Sequence, residues 1–227
     1  MDFVTPIVVV NFKTFESAIG KNALKLAKII EKCGKKTDKS VAICVTSLDL
    51  AKVTDAVKIP VFVEHCDAYE PDAHTGTNLL ESARDWGAVG VLINHAEHKL
   101  GVSDIEFLIN RSRKFGLMNI VCSNDVPVSR AIASLNPDVV AVEPPAFIGT
   151  DISVTDAEPK IVRDAVAAVF GEKLKERKAK VLCGAGIRTG KDVKKAIELG
   201  TDGVLVASGI TKALNPEAAM LDMLGGL

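Results

Sequence analysis

The sequence of 227 residues contains few aromatic residues and has no marked excess of either charge. Aromatic side chains make up 4% of it, and 28 Lys and Arg residues nearly balance 29 Asp and Glu residues, giving a net charge of −1. A chain this close to neutral lacks the positive field that binds nucleic acids or anionic membranes, so neither is expected as a partner. With 48% hydrophobic and 25% charged residues, the chain is expected to fold rather than remain disordered.

The signatures of membrane-spanning and exported proteins are also missing. The apolar runs are much shorter than the ~20 residues that a transmembrane helix needs. Residues 1–10 carry no basic segment ahead of their apolar run, so no signal peptide is expected. The five cysteines have no CxxC spacing and mostly fall in apolar runs: Cys33, Cys44, Cys66, Cys122 and Cys183. We therefore expect reduced core thiols in a cytoplasmic protein.

The sequence does contain a regular alternation of β-rich apolar runs and amphipathic segments. Eight runs are predicted to be strands: Ile7–Asn11, Val41–Val45, Val61–Glu64, Val89–Asn94, Asn119–Ser123, Val139–Glu143, Lys180–Gly184 and Gly203–Ser208. Their continuous apolar character is typical of parallel strands that are buried on both faces. Helical periodicity separates them, as in Ala23–Cys33. Glycines able to adopt positive φ are predicted to end helices at Gly34, Gly87, Gly116 and Gly200.

Two architectures alternate strands and helices in this way. One is a doubly wound open sheet, and the other is a closed (β/α)8 barrel, the TIM barrel. Eight units of nearly equal length, with no linker or low-complexity tract between them, favour closure. The sequence therefore predicts an α/β protein that forms a single (β/α)8 barrel domain over residues 1–227.

Functional groups of such a barrel gather at the carboxyl ends of its strands. Polar residues interrupt the apolar runs at these ends: Asn11, Lys13, Glu64, Asn94, His95 and Glu143. Taken singly, Lys13 could be a solvated lysine and His95 a hydrogen-bonded, partly buried histidine. Glu143 ends a buried run, so its charge must be paired or used. Together the three supply a carboxylate base, an imidazole electrophile or acid, and a cation.

Two turns that contain small residues predict an anion site. Cys183–Ile187 follows the seventh strand and Val206–Gly209 ends the eighth, where backbone N–H groups can approach a phosphate. The alternative is that these are ordinary turn glycines. The apolar segment Pro144–Thr155 predicts a lid that excludes water, or else a hydrophobic loop packed on its neighbour. The residues alone thus indicate acid–base chemistry on a small phosphorylated substrate.

These motifs together resemble the triosephosphate isomerase family in its short archaeal-type form. The matching segments follow the chain order of the family: Asn11-Phe12-Lys13, His74-Thr75-Gly76, Asn94-His95-Ala96-Glu97, Ala141–Pro145, Ile148-Gly149-Thr150, Cys183–Ile187 and Val206–Ala213. The resemblance covers the whole chain and is specific because the segments occur jointly. It implies an isomerase of glycolysis and gluconeogenesis that interconverts dihydroxyacetone phosphate and glyceraldehyde 3-phosphate. It also implies no metal or other cofactor, and self-association as a homodimer or homotetramer.

The resemblance also assigns roles to residues. Glu143 is implied as the general base, His95 as a neutral electrophile and Lys13 as an electrostatic stabiliser. Asn11 is implied to orient the substrate, and Glu97 to orient the lysine. Contacts with the substrate or its phosphate are implied for Asn11, Phe12, Lys13, Ile148, Gly149, Gly184, Ala207 and Ser208. Three positions depart from the family pattern: Val142 replaces tyrosine, Ala96 replaces serine, and Asp151 stands where glycine is frequent.

Three other functions are compatible with a phosphate-binding barrel. A metal-dependent sugar-phosphate epimerase is disfavoured because the four histidines (65, 74, 95 and 98) form no HExxH or three-histidine pattern. A Schiff-base aldolase would use Lys13, although such a lysine normally lies within a strand end in a desolvated pocket. A non-catalytic phosphate-binding or assembly protein is disfavoured because Lys13, His95 and Glu143 occur together.

Overall fold

The strands form a closed parallel barrel in a computed structural model that describes residues 3–150, 152–170 and 179–227. The strands are β1 (Ile7–Asn11), β2 (Ser40–Val45), β3 (Val61–Val63), β4 (Gly90–Ile93), β5 (Met118–Ser123), β6 (Val139–Val142), β7 (Lys180–Cys183) and β8 (Gly203–Val206). Each strand pairs with its neighbours in chain order, and β8 returns to pair with β1. This closure confirms the predicted (β/α)8 barrel, and the open doubly wound sheet is wrong.

Helices alternate with the strands along the chain and cover the outside of the barrel. They are α1 (Lys21–Thr37), α2 (Ser47–Ala56), α3 (Leu80–Asp85), α4 (Val102–Lys114), α5 (Val126–Ser134), α6 (Val154–Ala157), α7 (Pro159–Phe170), α8 (Gly190–Glu198), α9 (Ser208–Thr211) and α10 (Pro216–Leu224). Side-chain caps fix where several of them begin; Thr189 and Asp192, for example, form a reciprocal capping box at α8. Within the described ranges, no helix is long and apolar enough to cross a bilayer.

The core has two layers because successive strand residues point to opposite faces. In β1, Val8 and Val10 pack outward against the helices, whereas Ile7 and Val9 fill the barrel interior. Burial on both faces explains why the strand runs are continuously apolar. All five cysteines are buried and free, which confirms that they are core thiols.

Several strands end one residue earlier than the sequence predicts. Glu64, Asn94, Glu143 and Gly184 lie just beyond the last residues of β3, β4, β6 and β7. At Asn94 the backbone φ of 59° has already left the strand region. The polar side chains therefore stand at the beginning of the loops over the barrel mouth, not within the strands.

The prediction that Gly34 ends the first helix is wrong. α1 continues to Thr37 and ends at Asp38, whose φ is 54°. A Cβ atom at Gly34 would lie 2.8 Å from Cγ2 of Val41, so the glycine lets the helix approach β2 closely. The other three glycines follow helix ends with positive φ, as predicted: 84° at Gly87, 70° at Gly116 and 99° at Gly200.

Candidate active site

A cavity of about 250 Å³ opens at the carboxyl ends of the strands. It brings together eight of the residues selected from the sequence: Asn11, Lys13, Glu97, Glu143, Ile148, Gly149, Ala207 and Ser208. His95 lines an adjoining cavity that shares Asn11, Lys13 and Glu97 with the first. The space suits a small molecule, and its walls mix charged side chains with backbone groups.

Lys13 is held in place at the end of β1. Its φ of 49° is unusual for a residue with a side chain. Such a conformation costs ~1–3 kcal/mol, so it persists only where neighbouring groups hold it. The Lys13 N–H donates to Oδ1 of Asn11 at 3.1 Å, and Nζ lies 2.8 Å from Oε1 of Glu97. The lysine side chain is only 14% exposed. These contacts exclude the interpretation of Lys13 as a solvated surface lysine.

The hydrogen bonds of His95 define its tautomer. Nδ1 accepts the backbone N–H of Glu97 at 3.1 Å. Because that N–H can only donate, Nδ1 carries no proton, and the proton of the neutral imidazole resides on Nε2. The ring therefore directs an N–H donor, not a lone pair, toward the barrel mouth.

Asn94 braces the loop that carries this histidine. Its Nδ2 donates to the carbonyl of Cys122 at 3.0 Å, and its Oδ1 accepts the N–H of Leu100 at 3.0 Å. Asparagine tolerates the left-handed backbone found at this position better than most residues do. The side chain thus ties the start of the loop to the neighbouring strand β5 and to the loop's own far end.

Glu143 faces His95 across the barrel mouth. Oε2 of Glu143 lies 3.6 Å from Nε2 of His95, and both side chains are more than nine-tenths buried. Neither of these two atoms has a hydrogen-bond partner among the described residues. Buried polar groups are nearly always paired, so an unpaired carboxylate oxygen beside an unpaired N–H indicates a site rather than a structural contact.

Glycine at position 184 sets the position of Glu143. A Cβ atom there would lie 2.4 Å from Cγ of Glu143, so the glutamate packs directly on the backbone that follows β7. The Glu143 N–H donates to the carbonyl of Ser123 at 2.8 Å. Gly184 therefore contacts the glutamate and is not part of the cavity wall.

The turn after β7 and the start of α9 form the wall of small residues. Ala185 and Gly186 have φ of 72° and 75°. A Cβ atom on Gly186 would lie 2.0 Å from the carbonyl oxygen of Ile152, so only glycine fits. With Ala207 and Ser208 across the cavity, these residues present backbone rather than bulky side chains, an arrangement that can bind an anion.

The segment predicted to be a lid packs on its neighbour at one residue and lines the cavity at two others. Phe147 packs against the outer core, while Ile148 and Gly149 line the cavity. The Thr150 hydroxyl donates to the carbonyl of Phe147 at 3.0 Å and closes a compact turn. The substitution at Asp151 lies outside the described residues.

Other sequence-selected positions lie away from the cavity or cannot form the contact that the family pattern implies. Phe12 is fully buried in the outer core, and its N–H donates to the carbonyl of Cys44 at 3.0 Å. The structure therefore does not bring its side chain to the site. Val142 is buried in the same core and has no hydroxyl to donate to the lid. Ala96 is partly buried between His95 and Glu97.

Several further side chains that can interact with a charged substrate line the two cavities. Phe15 and Lys212 line the first, and His65 and His98 line the second together with Glu64, which the sequence had already indicated as a polar residue at a strand end. Burial raises the pKa of Glu64 to about 7, although nearby Lys13 opposes this shift. The rings of His65 and His98 stack at 3.7 Å, and burial is the main cause of a lowered pKa at His65. Its position directly after β3 had indicated Glu64 and could also have indicated His65, whereas no periodic signal distinguishes His98 or Lys212.

The thiols around the site are protonated and unreactive. Burial raises the pKa of Cys183 to about 12 and raises that of Cys122 well above its ordinary range. The nearby Glu143 carboxylate adds to both shifts. In the part of the chain that the structure describes, no group of three or more His, Cys, Asp or Glu side chains is arranged to hold a metal ion.

The fold and the residues at the carboxyl ends of its strands together define a (β/α)8-barrel protein with an acid–base site for a small anionic molecule. A family model described as "Triosephosphate isomerase" matches residues 6–223. Proteins named triosephosphate isomerase are similar over nearly the full length. That of Methanothermobacter thermautotrophicus is 47% identical over 219 residues, covering 96% of this chain and 94% of the relative. That of Methanobrevibacter smithii is 43% identical over 223 residues, covering 98% and 99%. The chain belongs to the triosephosphate isomerase family.

Proposed function

We propose that the chain is an intramolecular aldose–ketose isomerase that interconverts dihydroxyacetone phosphate and D-glyceraldehyde 3-phosphate. The supporting observation is the pair of unpaired buried atoms, Oε2 of Glu143 and Nε2 of His95, 3.6 Å apart. Lys13 lies on the same cavity. A base, a neutral donor and a cation in this arrangement complement a substrate that loses a proton beside a carbonyl group.

The reaction is a proton transfer in two steps. The Glu143 carboxylate removes a proton from the carbon next to the carbonyl, and the electron pair of that C–H bond forms the enediolate. The Nε2–H of His95 and the ammonium of Lys13 stabilise its oxygens, while Asn11 orients the substrate. Glu143 then returns the proton to the adjacent carbon. At the same time the hydroxyl proton moves from one enediolate oxygen to the other, so that the old hydroxyl becomes the new carbonyl and the old carbonyl becomes a hydroxyl. Because no electrons leave the substrate, the reaction needs no redox cofactor, and Lys13 and His95 supply the charge stabilisation that a metal ion gives in other enzymes.

The remaining contacts bind the phosphate and exclude water. The backbone of Gly149, Ala207 and Ser208 is proposed to surround the phosphate oxygens, with Ile148 covering the substrate as part of the lid. Glu97 holds the lysine through the 2.8 Å ion pair. Gly184 contributes by supporting the base.

The ion pair also bears on the aldolase alternative. A Schiff base needs an amine that is free to attack the substrate carbonyl, whereas Nζ of Lys13 is held by the Glu97 carboxylate at 2.8 Å. Borohydride reduction in the presence of the triose phosphate is therefore expected to leave the mass of the chain unchanged. A stable adduct on Lys13 would support the aldolase instead.

We also propose that the protein works in the cytoplasm, in glycolysis and gluconeogenesis, as a homodimer or homotetramer. The segment His74–Gly76 is exposed at the tip of a loop, where the ring of Tyr69 packs 4.4 Å from that of His74. Leu48 and Trp86 are exposed by 92% and 61%. Tyr and Trp are enriched in protein–protein interfaces, so the exposed Tyr69 and Trp86 support the proposal. Light scattering that shows an active particle of 24.1 kDa would contradict self-association.

A coupled assay on the purified chain tests the proposed activity directly. Glyceraldehyde 3-phosphate is supplied, and the dihydroxyacetone phosphate formed is reduced by an NADH-dependent dehydrogenase. We expect turnover well above that of the coupling mixture alone, and its loss in Glu143→Gln. An inactive parent protein that binds the substrate would support the non-catalytic alternative.

A further inference from the structure

One cation of the cavity takes no part in the function proposed above. Lys212 follows α9 and lines the same cavity as Lys13 and Ser208. Its Nζ lies over the ring of Phe15, 4.6 Å from the centroid. We propose that Lys212 is a specificity-determining residue that binds the phosphate group of the substrate and favours phosphorylated over unphosphorylated trioses. This inference rests on the proposed isomerase function.

The charges on the cavity wall require a second cation. Among the described residues, the ionisable side chains of the wall are Lys13, Glu97, Glu143 and Lys212. Lys13 is already paired with Glu97 at 2.8 Å. Without Lys212, one ammonium would therefore face two carboxylates and a phosphate that carries about −1.5 to −2 charges. With Lys212 the wall is neutral before the phosphate enters, and repulsion by the base is offset.

Lys212 is available for this contact. The ion pairs found among the described residues do not include it. Its partner is the face of Phe15, and an aromatic face orients an ammonium group but does not neutralise it. An incoming dianion can thus interact with the whole charge of Lys212.

The local structure places Lys212 beside the small residues proposed to hold the phosphate. Residues 208 and 212 are four apart on one helical turn, and the Lys212 N–H donates to the carbonyl of Ser208 at 3.1 Å. The Ser17 hydroxyl donates to the carbonyl of Thr211 at 2.5 Å. That bond ties the loop carrying Phe15 to α9, so the ring and the ammonium are held together at the cavity.

Lys212→Met keeps the length and the apolar contacts of the side chain and removes its charge. We expect the KM for glyceraldehyde 3-phosphate and the inhibition constant of inorganic phosphate both to rise about five- to tenfold, while kcat changes less than twofold. Lys212→Arg should recover most of the affinity. Lys191→Met, at an exposed lysine on α8, is the matched control and should match the parent protein.

Unphosphorylated D-glyceraldehyde separates a phosphate contact from a structural role. The slow turnover of this substrate should be the same in Lys212→Met and the parent, because it carries no dianion. The KM for the phosphorylated substrate should also rise less steeply with salt in the variant than in the parent.

Three results overturn the inference. An unchanged KM and phosphate inhibition in Lys212→Met would leave Lys212 as a lysine that only stacks on Phe15. An equal loss with both substrates would make its role structural. If the parent protein lacks isomerase activity, the proposed function fails separately, and calorimetric titration with inorganic phosphate still tests Lys212, with equal affinity in parent and variant counting against it.

Discussion

Two polar pairs at opposite ends of the barrel differ in how fully their hydrogen bonds are satisfied. At the amino end, Asn119 and Asp138 exchange three hydrogen bonds of 2.8–2.9 Å. At the carboxyl end, His95 and Glu143 face each other at 3.6 Å, each with an unpaired atom. Burying a polar group without a partner costs free energy. The Asn119–Asp138 pair avoids that cost and the His95–Glu143 pair accepts it, as expected where stability and reactivity are separated within one fold.

The backbone differs between the two ends in the same way. At the amino end, positive φ falls on Asp38 and Asn136, residue types that tolerate the left-handed region, and both follow helices. At the carboxyl end Asn94 is again a tolerant type, but positive φ also falls on Lys13 and Ala185, whose residue types do not favour that conformation. Strain at these two residues is held by the site around them, and it places an ammonium group and a bare backbone turn at the cavity.

The largest expected effect comes from removing the proton acceptor at the carboxyl end. Glu143→Gln keeps the shape of the side chain but cannot accept a proton, so kcat should fall by about 10³-fold or more. The melting temperature should stay the same or rise, because a buried unpaired charge has been removed. The coupled assay and thermal unfolding measure the two quantities. Activity within tenfold of the parent would remove Glu143 from the mechanism.

Deleting Phe147–Thr150 should have the next largest effect. The barrel and its base remain, but the wall formed by Ile148 and Gly149 is lost, and isomerisation should slow by about 10²-fold. The exposed enediolate can then break its C–O bond and expel inorganic phosphate, giving methylglyoxal. Assays for both products, with far-ultraviolet circular dichroism as the folding control, test this. Normal isomerisation without methylglyoxal would show that the segment is not a lid.

At the amino end a substitution should change stability and spare activity. Asn119→Ala removes the acceptor of the Asp138 N–H and one of the two donors to the Asp138 carboxylate, which should lower the free energy of unfolding by about 2–3 kcal/mol. Activity per folded molecule should not change. Urea unfolding at fixed protein concentration measures the free energy of unfolding. Asn110→Ala, at an exposed position on α4, is the control. A loss of kcat at full stability would break the contrast between the two ends.

Periodicity predicted the fold because burial on both faces leaves a strong pattern. Each strand must be apolar throughout to fill both the interior and the outer layer, so eight runs were visible in the sequence. Local backbone detail was harder to predict. Gly34 serves a close helix–strand approach, and a glycine gives the same signal in a sequence whether it is needed for positive φ or for space.

The site was predictable where a polar residue interrupts an apolar run. Lys13, His95 and Glu143 follow strands directly, and the structure gathers them at one rim. Phe12 was implied by its place in the family's first-strand motif, yet the alternation of side chains directs it into the core. Lys212 was missed because its position depends on a helical turn and on the distant ring of Phe15, contacts that only the folded chain creates.

The smallest expected effect concerns Glu64, a second underpaired acid at the carboxyl end. Burial raises its pKa from 4.5 to about 7; Lys13 opposes the shift, while Asp49 and Glu97 add to it. Oε1 of Glu64 has no hydrogen-bond partner among the described residues. The neighbouring Cys44 thiol is neutral, since burial raises its pKa well above the ordinary range. Ionised Glu64 should therefore cost stability.

The sign of the pH dependence follows from which state holds the proton. Between pH 4.5 and about 7 the unfolded chain has lost the Glu64 proton while the folded chain retains it, so stability falls as pH rises and then levels off. Glu64→Gln cannot ionise, so between pH 5 and pH 8 it should lose about 1–2 kcal/mol less than the parent. Glu106→Gln, at an exposed acid on α4, is the control. Parallel curves of stability against pH for the parent and Glu64→Gln would mean that the charge of Glu64 is stabilised by its neighbours as fully as that of Asp138. The difference between the two ends of the barrel would then rest on His95 and Glu143 alone.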